Sequence, residues 1–251
     1  MVKMIMHGCN GAMGRTITEL VSGRDDIVIV AGIDKNNSIS QKYPVYGSLK
    51  ECSEEADVVV DFASAPAVDQ LLEYCGEKNL PVVVCTTGLS EAQTAKIAEL
   101  SEKTAVLRSA NMSLGINLLL KLVKEAARTL GAADFDMEIV EKHHNRKLDA
   151  PSGTALALAD SINEAMDNRY HYEYDRSQKH EKRDRKEIGI SAVRGGSIVG
   201  EHDVIFAGKD EVVTFSHTAY SKAIFAKGAI QAAKFLAGKP AGLYSMSDVI
   251  G

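Results

Sequence analysis

Tryptophan is absent, but the apolar share is 45%, so the composition stays within the ordinary globular range. There is no apolar run long enough to span a bilayer, which argues against a membrane protein. Positive charge is in deficit. Lys and Arg number 29 against 34 Asp and Glu, for a net charge of −5, which removes the electrostatic case for nucleic acid as a partner. Cysteine is scarce: Cys9, Cys52, Cys75 and Cys85 are scattered, with no Cys-x-x-Cys spacing. That pattern suits a reduced cytoplasm rather than a disulfide framework, and a cytoplasmic location is expected. No internal repeat or low-complexity tract is visible, which excludes repeat architectures. The first residues, Met1 to Met6, run straight into a strand pattern and Gly8, so no signal peptide is expected. A length of 251 residues allows one large domain or two modest ones.

What is present centres on one stretch, from Glu141 through His143, His144, Lys147 and Asp149 to Pro151-Ser152-Gly153-Thr154-Ala155. A strand-like run, Met137 to Val140, leads in. An apolar-periodic segment with Leu156, Ala159, Ile162 and Met166 at helical spacing leads out. Ser152 is a good N-cap, which puts Gly153 and Thr154 in the first turn of that helix. Free N–H groups and the helix dipole there make a seat for a carboxylate or phosphate. Lys147 adds a positive charge, and His143 and His144 can move protons near neutral pH. The stretch therefore reads as a place where an anionic substrate is held and protonated. A metal site is disfavoured, because adjacent strand residues point to opposite faces and no cysteine lies near. On residue types alone, a solvated basic loop also fits.

A second pattern occupies the N-terminal half. A strand over 2–7 ends in glycines at 8, 11 and 14, and a helix follows with Ile17, Leu20 and Val21 inward. Strand, glycine-rich turn and helix suggest a dinucleotide seat, although the spacing is G-x-x-G-x-x-G and a ligand-free tight turn would look the same. The next strand, over 27–33, ends in Asp34, about twenty residues past Gly14, where an acidic group would hold ribose hydroxyls. Strands over 58–62, 81–85 and 104–108 alternate with helices over 68–77 and 90–101. The loops at the carboxyl ends of these strands, Asp61-Phe62-Ala63, Cys85-Thr86-Thr87-Gly88 and Ser109-Ala110-Asn111-Met112, should line one crevice.

Beyond residue 115 the pattern changes. A helix is expected over 116–130. The segment 167–187 mixes charges of both signs and reads as a solvated excursion. Strands over 188–193, 198–206 and 211–219 follow, with a hairpin turn at Gly208-Lys209-Asp210, and suggest an antiparallel, substrate-type domain. A helix over 223–237 and a short tail end the chain.

These residues carry a resemblance to the dihydrodipicolinate reductase family. The carriers are Gly8 to Arg15, Asp61-Phe62, Thr86-Thr87-Gly88, Ala110 to Asn117, and Glu141 with the block from His143 to Ala155. Arg194-Gly195-Gly196, Gly200-Glu201-His202 and Gly242-Leu243-Tyr244 also match. The resemblance runs from end to end. It implies His143 as general acid/base and Lys147 as proton donor. It implies that His144, Ser152, Gly153 and Thr154 hold the substrate dicarboxylate. It also implies that Gly8, Cys9, Asn10, Gly11, Ala12, Met13, Asp34, Cys85, Thr86, Thr87, Ser109, Ala110, Asn111 and Met112 hold the cofactor. Four departures stand out. Cys85 replaces a usual Gly and Met112 a usual Phe. Pro66 falls one place late, and Ser221-Lys222 replaces Ser-Arg, which keeps the charge but loses a bidentate grip.

The expected architecture is α/β. It comprises an N-terminal Rossmann dinucleotide-binding domain, over 1–114 with 224–251, and a second α+β domain, over 115–223, built on a mixed or antiparallel sheet. The expected activity is reduction of 4-hydroxy-tetrahydrodipicolinate, with loss of water, by NADH or NADPH, in lysine and diaminopimelate biosynthesis. A small-molecule dicarboxylate is the expected substrate and a homotetramer the expected assembly, with no metal, nucleic acid or membrane partner. The alternatives are another nicotinamide-dependent reductase of a small dicarboxylate, or a non-catalytic dinucleotide sensor.

Overall fold

A computed structural model describes residues 1–36, 39–109 and 111–251. Two compact units emerge. One comprises Met1–Leu114 with Ala223–Gly251, the other Gly115–Lys222.

In the first unit the elements run β1 (Val2–His7), α1 (Ala12–Val21), β2 (Ile27–Ile33), β3 (Val45–Tyr46), β4 (Val58–Asp61), α2 (Ala65–Lys78), β5 (Val82–Val84), α3 (Glu91–Ser101) and β6 (Ala105–Arg108). After α4 (Leu114–Ala132) and the second unit, the chain returns as α6 (Ala223–Leu236), β12 (Gly242–Tyr244) and α7 (Met246–Ile250). The sheet is entirely parallel, in the order β12-β6-β5-β4-β1-β2-β3. Continuous apolar runs such as Val58-Val59-Val60 are buried on both faces, as a helix-covered parallel sheet requires. The strand order reverses beside β1, so the carboxyl ends of β1, β2 and β4 frame a switch-point crevice. The short tail, to which no strand was assigned, supplies the seventh strand, β12. Three residues are too few to show a strand pattern in sequence.

The second unit holds β7 (Asp136–His143), α5 (Gly153–Ala165), β8 (His171–Glu173), β9 (Glu187–Arg194), β10 (Gly200–Ala207) and β11 (Val212–Ala219). Its sheet order is β11-β10-β7-β9-β8. The pairs β10–β11 and β10–β7 are antiparallel, whereas β7–β9 and β8–β9 are parallel. The sheet is therefore mixed, not purely antiparallel. The expected hairpin is present, with Gly208 N–H donating to the Glu211 carbonyl. Leu119, Val123 and Ala127 of α4 and Ala155, Leu158 and Ile162 of α5 cover one face, against Met137, Ile139, Ile190, Val204 and Phe206.

The charged segment over 167–187 is more than a solvated excursion. It contains β8, and its arginines are anchored. Arg183 donates to Glu138 at 3.0 Å, to Asp136 at 2.9 Å and to the Met137 carbonyl at 3.0 Å. Arg176 pairs with Glu138 at 2.7 Å and with buried Glu187. The mixed charges that read as solvation are partners fixed by tertiary register. Arg183→Met should cost about 2 kcal/mol, the order of lost hydrogen bonds to charged groups. It should also speed limited proteolysis between residues 174 and 186, and unchanged cleavage there would contradict the anchoring role.

Candidate active site

In the second unit the site grows out of the buried row of β7. Alternate residues Met137, Ile139, Glu141 and His143 face the helices. The first two are core, and the next two turn the row polar at the strand's carboxyl end. Glu141 is fully buried. Arg194, the last residue of the neighbouring β9, grips it with two nitrogens, each at 2.7 Å. His143 Nδ1 lies 2.6 Å from Glu141 Oε2, and the Ser152 N–H donates to Oε1 at 2.9 Å. Burial alone would raise the Glu141 pKa. The donors Arg194, His143 and Ser152 outweigh it and hold the carboxyl below its usual range.

The helix α5 begins at this carboxylate. Ser152 is its N-cap, with Oγ accepting from the Ala155 N–H at 3.1 Å. The same Oγ lies 3.0 Å from His202 Nε2. Ser152 is thus committed through its N–H and its hydroxyl, and only 1% of it is exposed. Gly153, by contrast, is open, with no atom within 4 Å of where a Cβ would stand. Lys147 Nζ reaches Asp149 Oδ1 at 2.8 Å. The Asp149 carboxyl is held below its usual range by Lys147 first, with the Gly153 N–H contributing. The chain's own carboxylate therefore rests where a lysine and a helix N-terminus converge, the arrangement that suits a substrate carboxylate.

His143, His144, Lys147, Ser152, Gly153 and Thr154 thus fall on one strand end, one loop and one helix start. His144 stands just beyond β7, and its Nδ1 is buried without a partner. His202, on β10, packs edge-on against His143 with ring centroids 5.1 Å apart. Burial pushes its pKa down to about 4, and the neighbouring His143 adds to the effect. Glu141, Arg194 and His202 carried no assigned role in the sequence reading. The two-residue spacing of Glu141 and His143 was the legible signal, whereas the partners on β9 and β10 depend on non-local register.

In the first unit the glycine-rich turn is built as such seats are. Gly8 has φ +82, and a Cβ there would stand 2.8 Å from the Phe62 carbonyl oxygen. A Cβ on Gly14 would stand 2.3 Å from the Gly8 oxygen. The N-cap of α1 is Gly11, so no side chain caps the first N–H groups of that helix. Asp34 Oδ2 accepts from the Asn10 N–H and Oδ1 from the Asn36 N–H, each at 2.9 Å. His7, Gly8, Gly11, Asp34 and Lys35 line a cavity of about 290 Å³ with Ser48, Phe62, Ser64 and Gln70. Phe62 was expected to line the crevice, whereas His7, Ser48, Ser64 and Gln70 were not among the residues expected there. The Thr86 hydroxyl is buried without a partner. Close backbone approach, uncapped N–H groups and an acidic residue at the end of β2 fit a dinucleotide.

Not every expected cofactor residue presents its side chain. Cys9 and Cys85 are buried, and burial pushes the Cys9 thiol up to about 11 and the Cys85 thiol well above its usual value. Met112 is only 3% exposed and belongs to the core. Ser109 and Asn111 bond to each other, and Asn111 Oδ1 accepts from the Ser113 N–H. Thr87 is exposed, and Ala12 and Met13 open α1. Ala110 lies outside the described residues. Among the described residues, no His, Cys, Asp and Glu side chains gather to hold a metal ion. No described helix is long and apolar enough to cross a membrane.

Comparison with known proteins adds the following. The family description "Dihydrodipicolinate reductase, N-terminus" matches residues 2–112, and "Dihydrodipicolinate reductase, C-terminus" matches 115–250. A 4-hydroxy-tetrahydrodipicolinate reductase of Caldanaerobacter subterraneus subsp. tengcongensis is 52% identical over 100% of this chain and 98% of its own. One from Clostridium tetani is 49% identical over 100% and 97%. A dipicolinate-bound dihydrodipicolinate reductase from Paenisporosarcina sp. TG-14 shares the fold, with TM-score 0.83 at 24% identity over 98% and 97% of the two chains.

Proposed function

The chain belongs to the dihydrodipicolinate reductase family, and we propose that it reduces 4-hydroxy-tetrahydrodipicolinate to tetrahydrodipicolinate in lysine and diaminopimelate biosynthesis. Substrate, NADH or NADPH and one proton give product, oxidised coenzyme and water. A bound nicotinamide supplies the hydride. The N–H groups at the start of α1 would seat the pyrophosphate, and Asp34 the ribose hydroxyls.

In the second unit, Gly153, Thr154 and Lys147 take a substrate carboxylate, with Asp149 giving up its place. Hydride arrival leaves negative charge on the substrate, which Lys147 and His143 meet with a proton. His144 lies on the same loop and serves the second carboxylate. The observation that carries this reading is the loop between β7 and α5. There a lysine and a helix N-terminus hold a carboxylate beside a histidine that has a charged partner. The four free cysteines suit a cytoplasmic enzyme.

The test is NADH oxidation with and without the product of dihydrodipicolinate synthase. Turnover that depends on this product supports the reading. Oxidation driven only by another dicarboxylate would favour a different reductase, and NADH binding without turnover a sensor.

Coenzyme choice follows from Asp34, which repels a 2′-phosphate while Lys35 and Arg15 offset part of that repulsion. Both coenzymes should work, with NADH at least as good as NADPH. A kcat/KM for NADPH more than about tenfold above that for NADH, or ~1.4 kcal/mol, would show that Asp34 is not the deciding contact.

Assembly follows from the second unit's sheet. Its face opposite α4 and α5 carries Val140, Val193 and Ile205 among polar residues, and Val193 is exposed. Pairing this face with another subunit would give a dimer, and the homotetramer of dihedral symmetry that the family resemblance implies adds a second interface. Sedimentation as a 27.0 kDa monomer at micromolar concentration would count against it.

A further inference from the structure

We propose that Glu141, clamped by Arg194, is the positioning residue that fixes the proton of His143 on Nδ1 and leaves Nε2 as the nitrogen that exchanges protons with the substrate. The inference rests on the reaction proposed above and deepens it.

The argument is a donor count. The Glu141 carboxylate is fully enclosed and receives two Arg194 nitrogens, the Ser152 N–H and His143 Nδ1. An ionised carboxylate only accepts. Arg194 stays protonated throughout turnover, so it keeps Glu141 ionised in every state of the cycle. His143 Nδ1 must therefore bear a hydrogen. A neutral imidazole has one N–H, so Nε2 is left unprotonated and is where a proton is gained and lost.

The surroundings of His143 agree. From β9, Arg194 bonds the two Glu141 oxygens and also donates to the Asp149 carbonyl at 2.6 Å, which ties the loop before α5 to the same clamp. From β10, His202 faces the imidazole edge-on and is held neutral by burial. From α5, Ser152 bonds both Glu141 and His202. Along the loop after β7, Lys147 is turned to Asp149. Nε2 itself has Gly200, the first residue of β10, beside it. A Cβ there would stand 3.1 Å from Nε2, so the glycine keeps that side of the ring clear.

The test reads the tautomer directly. Nitrogen NMR of ¹⁵N-histidine-labelled full-length protein, with the His143 signals assigned by their loss in His143→Gln, should show a protonated Nδ1 and a bare Nε2 in the neutral ring. Glu141→Gln offers an amide that can donate as well as accept. It should mix or reverse the tautomers and lower kcat by on the order of 10²-fold or more, with KM for the dicarboxylate and Kd for NADH within about threefold of wild type.

An Nε2-protonated neutral ring in the wild type overturns the proposal whether or not the variant folds. A Glu141→Gln variant that keeps the Nδ1 tautomer also overturns it, because any loss of rate would then be structural. An inactive wild type with the expected tautomer would sink the proposed reaction and leave this assignment standing.

Discussion

Lys147→Ala should lower kcat by ~10²–10⁴, the usual cost of removing a positioned proton donor. The Kd for NADH should stay within about threefold, because the glycine-rich turn, Asp34 and the cavity they line all belong to the first unit. In the structure Lys147 is paired with Asp149 at 2.8 Å and its side chain is only 20% exposed, so its ammonium is held within the loop rather than swinging in solvent. His143→Ala should behave similarly, whereas Thr154→Val should mainly raise KM for the substrate. If Lys147→Ala kept a near-normal kcat and lost only substrate affinity, Lys147 would be a carboxylate clamp and not a proton donor. The proton would then come from His143 or water.

Gly14→Ala should remove the coenzyme seat. Its Cβ would stand 2.3 Å from the Gly8 carbonyl oxygen and 2.6 Å from the Cys9 backbone. Both obstacles are main chain at the junction of β1 and α1, so no side chain can rotate away. The turn must open, at about 3 kcal/mol, the upper end of typical overpacking costs. Opening it moves the α1 N–H groups from where a pyrophosphate would sit. Gly23→Ala is the control. Gly23 also has a positive φ, +82, but nothing lies within 4 Å of its Cβ position. It should cost about 1 kcal/mol and leave NADH binding unchanged. Urea unfolding and an NADH titration on both variants check the pair. A Gly14→Ala protein that binds NADH within about twofold of wild type would contradict the role given to the turn.

Much of this was legible in the residues, and for reasons that can be named. Parallel strands buried on both faces read as unbroken valine runs, so β4 and β5 were visible without partners. Glycines at 8, 11 and 14 mark a turn because nothing larger fits at 8 and 14. The seat at α5 was readable because an N-cap, an open glycine and a lysine are close in sequence.

What stayed hidden depends on register. Nothing local marks Arg194 as the partner of Glu141, which lies on a strand two residues before His143. The two meet because β9 pairs parallel with β7 and sets His143 opposite Arg194. The same parallel pairing made the second sheet mixed where a run of three late strands suggested hairpins. Arg183 looked solvated because its acceptors, Asp136, Glu138 and the Met137 carbonyl, are far from it in sequence. Met112 was expected to face the cofactor and its side chain instead joins the core, a distinction of side-chain direction that residue type does not reveal, whereas the cap read for Ser152 is present.

The central claim is that the loop from His143 to Thr154 seats a dicarboxylate beside its proton donors. A crystal structure with NADH and dipicolinate tests it most directly. One carboxylate should accept from the Gly153 and Thr154 N–H groups and from Lys147 Nζ, with Asp149 released from Lys147 and His143 Nε2 turned toward the ring. Dipicolinate bound away from α5, with the Lys147–Asp149 pair intact, would contradict the account.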